Sequence, residues 1–140
     1  MRTLYKYTAT KQAIIAYILL IILAAALACV KWYGDLNENF TFFPDEINSH
    51  ITNFSISLVF YLATGFPWLL FRAKFRYIVI LGVVIIAANF ICETLMGFMN
   101  TIDIIDAISG SIGTAVAFAF LLIVYKYGLR KVNPDVEISQ

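Results

Sequence analysis

Residues 12–30, QAIIAYILLIILAAALACV, contain no charged side chain in 19 consecutive positions. A hydrocarbon slab of roughly 30 Å is crossed by about 20 apolar residues in helical form, so this stretch reads as a membrane span. Its surroundings agree. Of 140 residues, 61% are hydrophobic and only 14% charged, and the mean hydropathy is +0.84. Soluble domains carry roughly 25% charged and about 45–50% apolar residues. A soluble chain this short cannot bury so much apolar surface. The composition therefore excludes a soluble enzyme, a nucleic-acid-binding domain and a disordered linker.

Three further runs match the first: residues 51–71, 77–98 (interrupted only by Glu93) and 104–125, with Asp106 in the first turn of the last. The expected fold is all-α, a polytopic membrane protein with four transmembrane helices. One transmembrane domain covers residues 1–132, and residues 133–140 read as a short polar tail. Pro67 and Gly65 sit late in the second span, where neighbouring helices can satisfy a freed carbonyl.

The basic residues set the direction. Arg2, Lys6 and Lys11 precede the first span; Arg72, Lys74 and Arg76 fill the turn between the second and third; Lys126, Arg130 and Lys131 follow the fourth. Nine of the ten Lys and Arg residues thus share one side, which the positive-inside rule makes cytoplasmic. Both termini are expected there, in a bacterial cytoplasmic membrane. A secretory signal ending at Ala26-Leu27-Ala28 is the competing reading, but an uncharged, almost wholly apolar stretch of 19 residues exceeds the usual apolar core of roughly 7–15. A lipoprotein signal would need Leu where Ala26 stands.

The segment from Lys31 to about Pro44 carries Trp32, Tyr33, Phe40, Phe42 and Phe43, and aromatic residues favour the membrane–water interface. It is expected to lie along the surface as a loop. Pro44 suits the first turn of a helix and is followed by Asp45 and Glu46, which favour a positive helix N-terminus. Cys29 and Cys92 fall in apolar runs and read as buried thiols; two cysteines make neither a disulfide framework nor a structural zinc site.

Ionisable groups within a span are costly and mark function or a specific partner. Glu93 lies 16 residues after Tyr77, about 24 Å along a helix, and Asn89 shares its face. In the second span Glu46, His50, Asn53, Ser57, Tyr61 and Thr64 recur at intervals of three and four, a single helical stripe. Asp103 and Asp106 open the fourth span. Ser109, Gly110, Gly113 and Ala117 then give a small-residue face for close helix packing. The candidate binding residues are thus Asp45, Glu46, His50, Asn89, Glu93, Asp103 and Asp106. Glu93 and Asp106 are expected to meet across the third and fourth spans. Two carboxylates brought together in low dielectric cannot both stay ionised without a compensating cation or proton; His50 could supply the charge. No HExxH, CxxC, P-loop or GxSxG motif occurs, so no metal, cofactor or catalytic residue is assigned, and binding is preferred to catalysis, in which Glu93 or His50 would serve as general base.

These residues resemble the VanZ-like family of small bacterial membrane proteins, named for a member linked to teicoplanin resistance. The family pattern has Pro-Asp with a histidine a few residues on, matched by Pro44-Asp45 and His50. A basic inner turn follows, matched by Arg72 to Arg76. A membrane Glu corresponds to Glu93, with Thr94 where Gln is usual. An Arg, a pair of aspartates, an Asn and glycines correspond to Asn100, Asp103 and Asp106, Gly110 and Gly113, so Asn replaces the Arg and Gly the Asn. The resemblance covers about 60% of the chain, from Phe43 to Tyr125. It implies an envelope or glycopeptide-resistance connection, not a reaction.

The reading is a membrane protein whose outward acidic and histidine pocket binds a cell-envelope component: a lipid head group, a lipid-linked glycan or a cation. Membrane lipids are its expected partners, a homo-oligomer is compatible, and nucleic acid is not a partner. The alternatives are an oligomeric channel or transporter subunit lined by the Asn89/Glu93 face, or a structural partner in a membrane complex using the fourth span.

Overall fold

The long uncharged runs allow only one backbone arrangement inside lipid. Every peptide group must find its partner within the segment, and an α-helix does this. The computed structural model of the chain describes residues 7–36, 44–71, 73–95 and 103–131, with the side chains of residues 35, 45–49 and 95 outside that description. Helices α1 (Lys11–Leu36), α2 (Asp45–Leu70), α3 (Phe75–Leu95) and α4 (Ile104–Ile123) are each long and apolar enough to cross a membrane. A π-helical turn, Val124–Gly128, extends α4 without a break. Two short antiparallel strands, β1 (Tyr7–Ala9) and β2 (Leu129–Lys131), pair Tyr7 with Lys131 and Ala9 with Leu129. The Thr10 amide donates to the Gly128 carbonyl at 2.8 Å and closes the ribbon.

α1 continues six residues past Val30 to Leu36, which corrects the expectation of a surface loop starting at Lys31. Nothing from Lys31 to Tyr33 breaks a helix, and continuing it satisfies carbonyls that would otherwise be orphaned at the membrane edge. Trp32 and Tyr33 are thereby displayed from a helix and remain exposed. The rest of that loop, residues 37–43, lies outside the described residues, as do the connection at 96–102 and the tail. Pro44 is the N-cap of α2, with extended backbone, and Asp45 begins the helix. α2 then runs through Pro67 to Leu70. Beyond it, the Phe71 amide donates to the Pro67 carbonyl at 3.0 Å and the Ala73 amide to the Trp68 carbonyl at 2.9 Å.

α2 is the central element. Its broadest interface is with α4; α3 packs chiefly on α4, and α1 on α2. Leu58, Tyr61, Leu62, Phe66 and Leu69 of α2 form the core with Ile78 and Ile85 of α3 and Ala117 and Leu121 of α4. α1 buries Ala13 and Ala24 in the core, and its Tyr17 stacks on Phe66 with ring centroids 4.3 Å apart. Its other face (Ile14, Ile15, Ile18, Leu19, Ile22 and Leu23) points away from the bundle. Only 11% of its apolar window is buried, against 44% for α2. In water such a face would drive association; in a bilayer lipid covers it. The same argument corrects the expectation for the cysteines. Cys29 and Cys92 are both exposed and unpaired on the helix surfaces, because an apolar residue in a membrane span needs no protein core.

Small residues let α4 close on α2. A Cβ on Gly113 would strike the Phe54 carbonyl, and one on Gly110 would meet the Asn89 amide and the Ser57 hydroxyl. At Gly65 the obstacle is only the flexible end of Leu121.

The ribbon was not anticipated from the sequence; it ties the two ends of the described chain together. A shared cavity places Tyr7 and Leu129 beside Lys74 of the α2–α3 turn, so the three basic segments meet at one end of the bundle. His50, Asp103 and Asp106 gather at the opposite end.

Gly113→Ala is expected to lower stability by about 1–3 kcal/mol, the usual cost of overpacking, because a backbone carbonyl cannot move aside. Gly65→Ala is expected to cost clearly less, since Leu121 can change rotamer. Thermal unfolding of both variants in detergent, beside the parent, checks this order.

Candidate functional site

Three helix segments build the acidic end. His50 stands in the second turn of α2, Asp103 caps α4, and Asp106 lies in the first turn of α4. The Asp103 side chain accepts a hydrogen bond from the Ile105 amide at 2.9 Å, which satisfies one of the orphan donors of a helix start. With Asp103 in that role, Asp106 is free to turn toward α2. Its Oδ1 lies 2.6 Å from Nδ1 of His50, a distance typical of a bond with at least one ionised partner. The second oxygen of Asp103 is 4.0 Å from the same nitrogen. Ser109, one turn further along α4, donates from its hydroxyl to the His50 carbonyl at 2.9 Å. Both the side chain and the backbone of His50 are therefore held by α4.

Glu93 approaches from α3. Asp106 and Asp103 are its charged neighbours, and its Oε2 is enclosed without a hydrogen-bond partner among the described residues. Three carboxylates thus converge where there is one imidazole, which even when protonated offsets only one of them. Asp45 and Glu46 lie in the first turn of α2, with side chains outside the described residues.

Asn89 is not part of this cluster. It lies against Ser57 of α2, whose hydroxyl is 3.0 Å from the amide nitrogen and 3.2 Å from the amide oxygen. The bare backbone of Gly110 leaves room for this pair. Further along, the Tyr61 hydroxyl donates to the Ile78 carbonyl at 2.6 Å. The polar stripe of α2 therefore faces α3 and α4, with His50, Ser57 and Tyr61 each bonded across to a neighbouring helix. Gly110, Gly113 and Ala117 are buried on α4, whereas Ser109 contributes its hydrogen bond to His50.

The sequence reading did not find a groove beside the cluster. A cavity of about 360 Å³ opens between α2 and α4, with His50 and Ser109 in its wall and Ile51, Phe54, Ile108 and Ile112 beside them. Its signal was present. Ile105, Ile108 and Ile112 recur at intervals of three and four on one face of α4, and all three are exposed. Such a face was indistinguishable from an ordinary lipid-facing one until its partner on α2 was known.

His50, Asp103 and Asp106 each offer one ligand atom, and these atoms lie within 4.8 Å of one another. One imidazole and two carboxylates could hold a divalent cation with open positions, after the direct His50–Asp106 bond gave way. The ensemble can attract a cation or an ammonium group and exchange a proton. No protein-family model, curated protein or solved structure matches the chain.

A double-mutant cycle between Ser57→Ala and Asn89→Ala is expected to give a coupling of about 0.5–2 kcal/mol, the range for hydrogen bonds between membrane helices. Unfolding free energies in mixed micelles measure it; a coupling indistinguishable from zero would remove the pair from the account of the fold.

Proposed function

We propose that this chain is a multi-pass membrane protein of the VanZ-like type that binds a cell-envelope component at its acidic end. The basic end would face the cytoplasm, and the His50–Asp106 cluster would open toward the outer face. One observation carries the reading. The hydrogen-bonded His50 and Ser109 form part of the wall of an otherwise apolar groove between α2 and α4. A ligand suited to both parts has an apolar chain and a head group bearing an ammonium or other cationic centre. Amine-bearing envelope lipids, and lipid-linked glycans that carry an amine, have that form. Carboxylates supply the attraction, and Phe54, Ile108 and Ile112 supply contact for the chain. A link to glycopeptide resistance rests on the family resemblance alone. The geometry favours binding over a channel, because Asn89 turns inward to Ser57 and away from any pathway.

Two outcomes are expected. Asp106→Asn and His50→Gln should each weaken retention of phosphatidylethanolamine about ten- to a hundredfold, the worth of a hydrogen bond to a charged group. Native mass spectrometry of the detergent-solubilised protein reads this directly. Retention equal to the parent would end the proposal. For topology, a cysteine at position 74 in the Cys29→Ser, Cys92→Ser chain should react with an impermeant maleimide only from the cytoplasmic side. Those two serine replacements should leave the melting temperature unchanged.

A further inference from the structure

The opposite end of the bundle carries its own cavity. It measures about 720 Å³ and is lined by Tyr7, Leu69, Lys74, Phe75, Tyr125 and Leu129, among others. This lies within the range of about 300–1,000 Å³ that small-ligand sites occupy. Its walls come from the ribbon, the end of α2, the α2–α3 turn and the π-helical turn.

Charge at this end has one sign. Among the described residues, Lys11, Lys74, Arg76, Lys126, Arg130 and Lys131 cluster here, whereas the acidic groups belong to the other end. Arg76 is engaged locally, donating to the Tyr77 hydroxyl at 3.1 Å and lying over its ring. Lys74 and Lys131 are exposed and form no ion pair among the described residues. The strand register places Lys131. It stands opposite Tyr7, and cross-strand partners share a face of the ribbon. Successive residues alternate faces, so Leu129 and Lys131 are on the side of Tyr7, toward the cavity, and Arg130 is on the other. Lys74 is thus in the cavity wall and Lys131 on the cavity's side of the ribbon.

Depth is marked by aromatic residues. Trp68, Phe71, Tyr77, Tyr125 and Tyr127 are all exposed around this end, as in the belt that sits at head-group level. Leu69, Phe75 and Leu129 give the cavity wall its apolar part beside Lys74.

We infer that this cavity is a binding site for the head group of an anionic phospholipid, with Lys74 and Lys131 holding the phosphate. Basic pockets between membrane helices take such head groups, and an uncompensated pair of ammonium groups beside an apolar wall suits a phosphate joined to a diacylglycerol. The inference is independent of the acidic-end proposal, since it uses different residues and the opposite ligand charge.

The test is a titration of the purified full chain with dihexanoyl phosphatidylglycerol, read by melting temperature, beside the phosphatidylcholine of the same chain length. Phosphatidylglycerol should raise the melting temperature saturably and phosphatidylcholine should not. Lys74→Gln and Lys131→Gln should each weaken the half-saturating concentration about fivefold, as expected for roughly one surface cation's worth of attraction, and Lys74→Arg should restore it. Arg130→Gln removes the same charge from the opposite face of the same ribbon and should have little effect. Equal responses to the two lipids, or equal losses from Arg130→Gln and Lys131→Gln, would overturn the site in favour of diffuse attraction. A response to glycerol phosphate as large as that to the lipid would assign the cavity to a soluble phosphate and overturn the lipid. Binding that appears only after Asp135→Asn and Glu137→Gln would make the acidic tail the occupant, and would overturn it too.

Discussion

Everything at the acidic end depends on how closely α4 can approach α2. In a bilayer no hydrophobic force draws one helix to another, since lipid tails are as apolar as leucine; contact rests on packing and on hydrogen bonds between helices. Gly113 brings the α4 backbone against the Phe54 carbonyl, and Gly110 brings it against Ser57 and Asn89. The two helices run in the same direction, which the contact series makes plain. Asp106 and Ser109 meet His50, Gly110 meets Ser57, and Leu121 meets Gly65. A side chain at position 113 would hold this ladder apart.

Once that approach is fixed, the polar groups are positioned by helical repetition. On α2, His50, Ser57 and Tyr61 are separated by seven and four residues, so they face the same side on successive turns. Each reaches a different partner: a carboxylate on α4, an amide on α3, a backbone carbonyl on α3. Each of these bonds sets register, because sliding one helix past another would leave every pair unmet. Rotating α2 would cost three hydrogen bonds at once. The histidine is therefore held by the same constraint that holds the core.

The sequence made some of this legible for definite reasons. Span number follows from the absence of charge over lengths that match the bilayer, and the stripe on α2 follows from its spacing alone. Residues 103 and 106 could be placed near a helix start, yet only the structure shows that Asp103 takes the cap and leaves Asp106 to His50. Buried thiols were expected because free cysteines in soluble proteins are buried; lipid removes that reasoning. Strands β1 and β2 are three residues each, too short for alternation to register, and they pair across nearly the whole chain. The groove between α2 and α4 could not be read because a lipid-facing isoleucine and a groove-lining one have the same local pattern.

Most polar side chains between the helices are satisfied within the bundle, although the buried Ser55 hydroxyl, like one oxygen of Glu93, has no hydrogen-bond partner among the described residues. Where polar side chains serve assembly, they close on one another: Ser57 with Asn89, Tyr61 with the Ile78 carbonyl, Thr114 with the Gly110 carbonyl at 2.9 Å. The acidic end is different. Glu93 keeps an enclosed oxygen without a donor among the described residues, next to two further carboxylates and a single imidazole. An unpartnered acceptor in a low-dielectric setting costs on the order of 1–3 kcal/mol, a cost that assembly alone does not require. A cationic group beside His50 would supply a donor and a positive charge together, so the proposal made for this end rests on the same charge imbalance that sets it apart from the rest of the bundle.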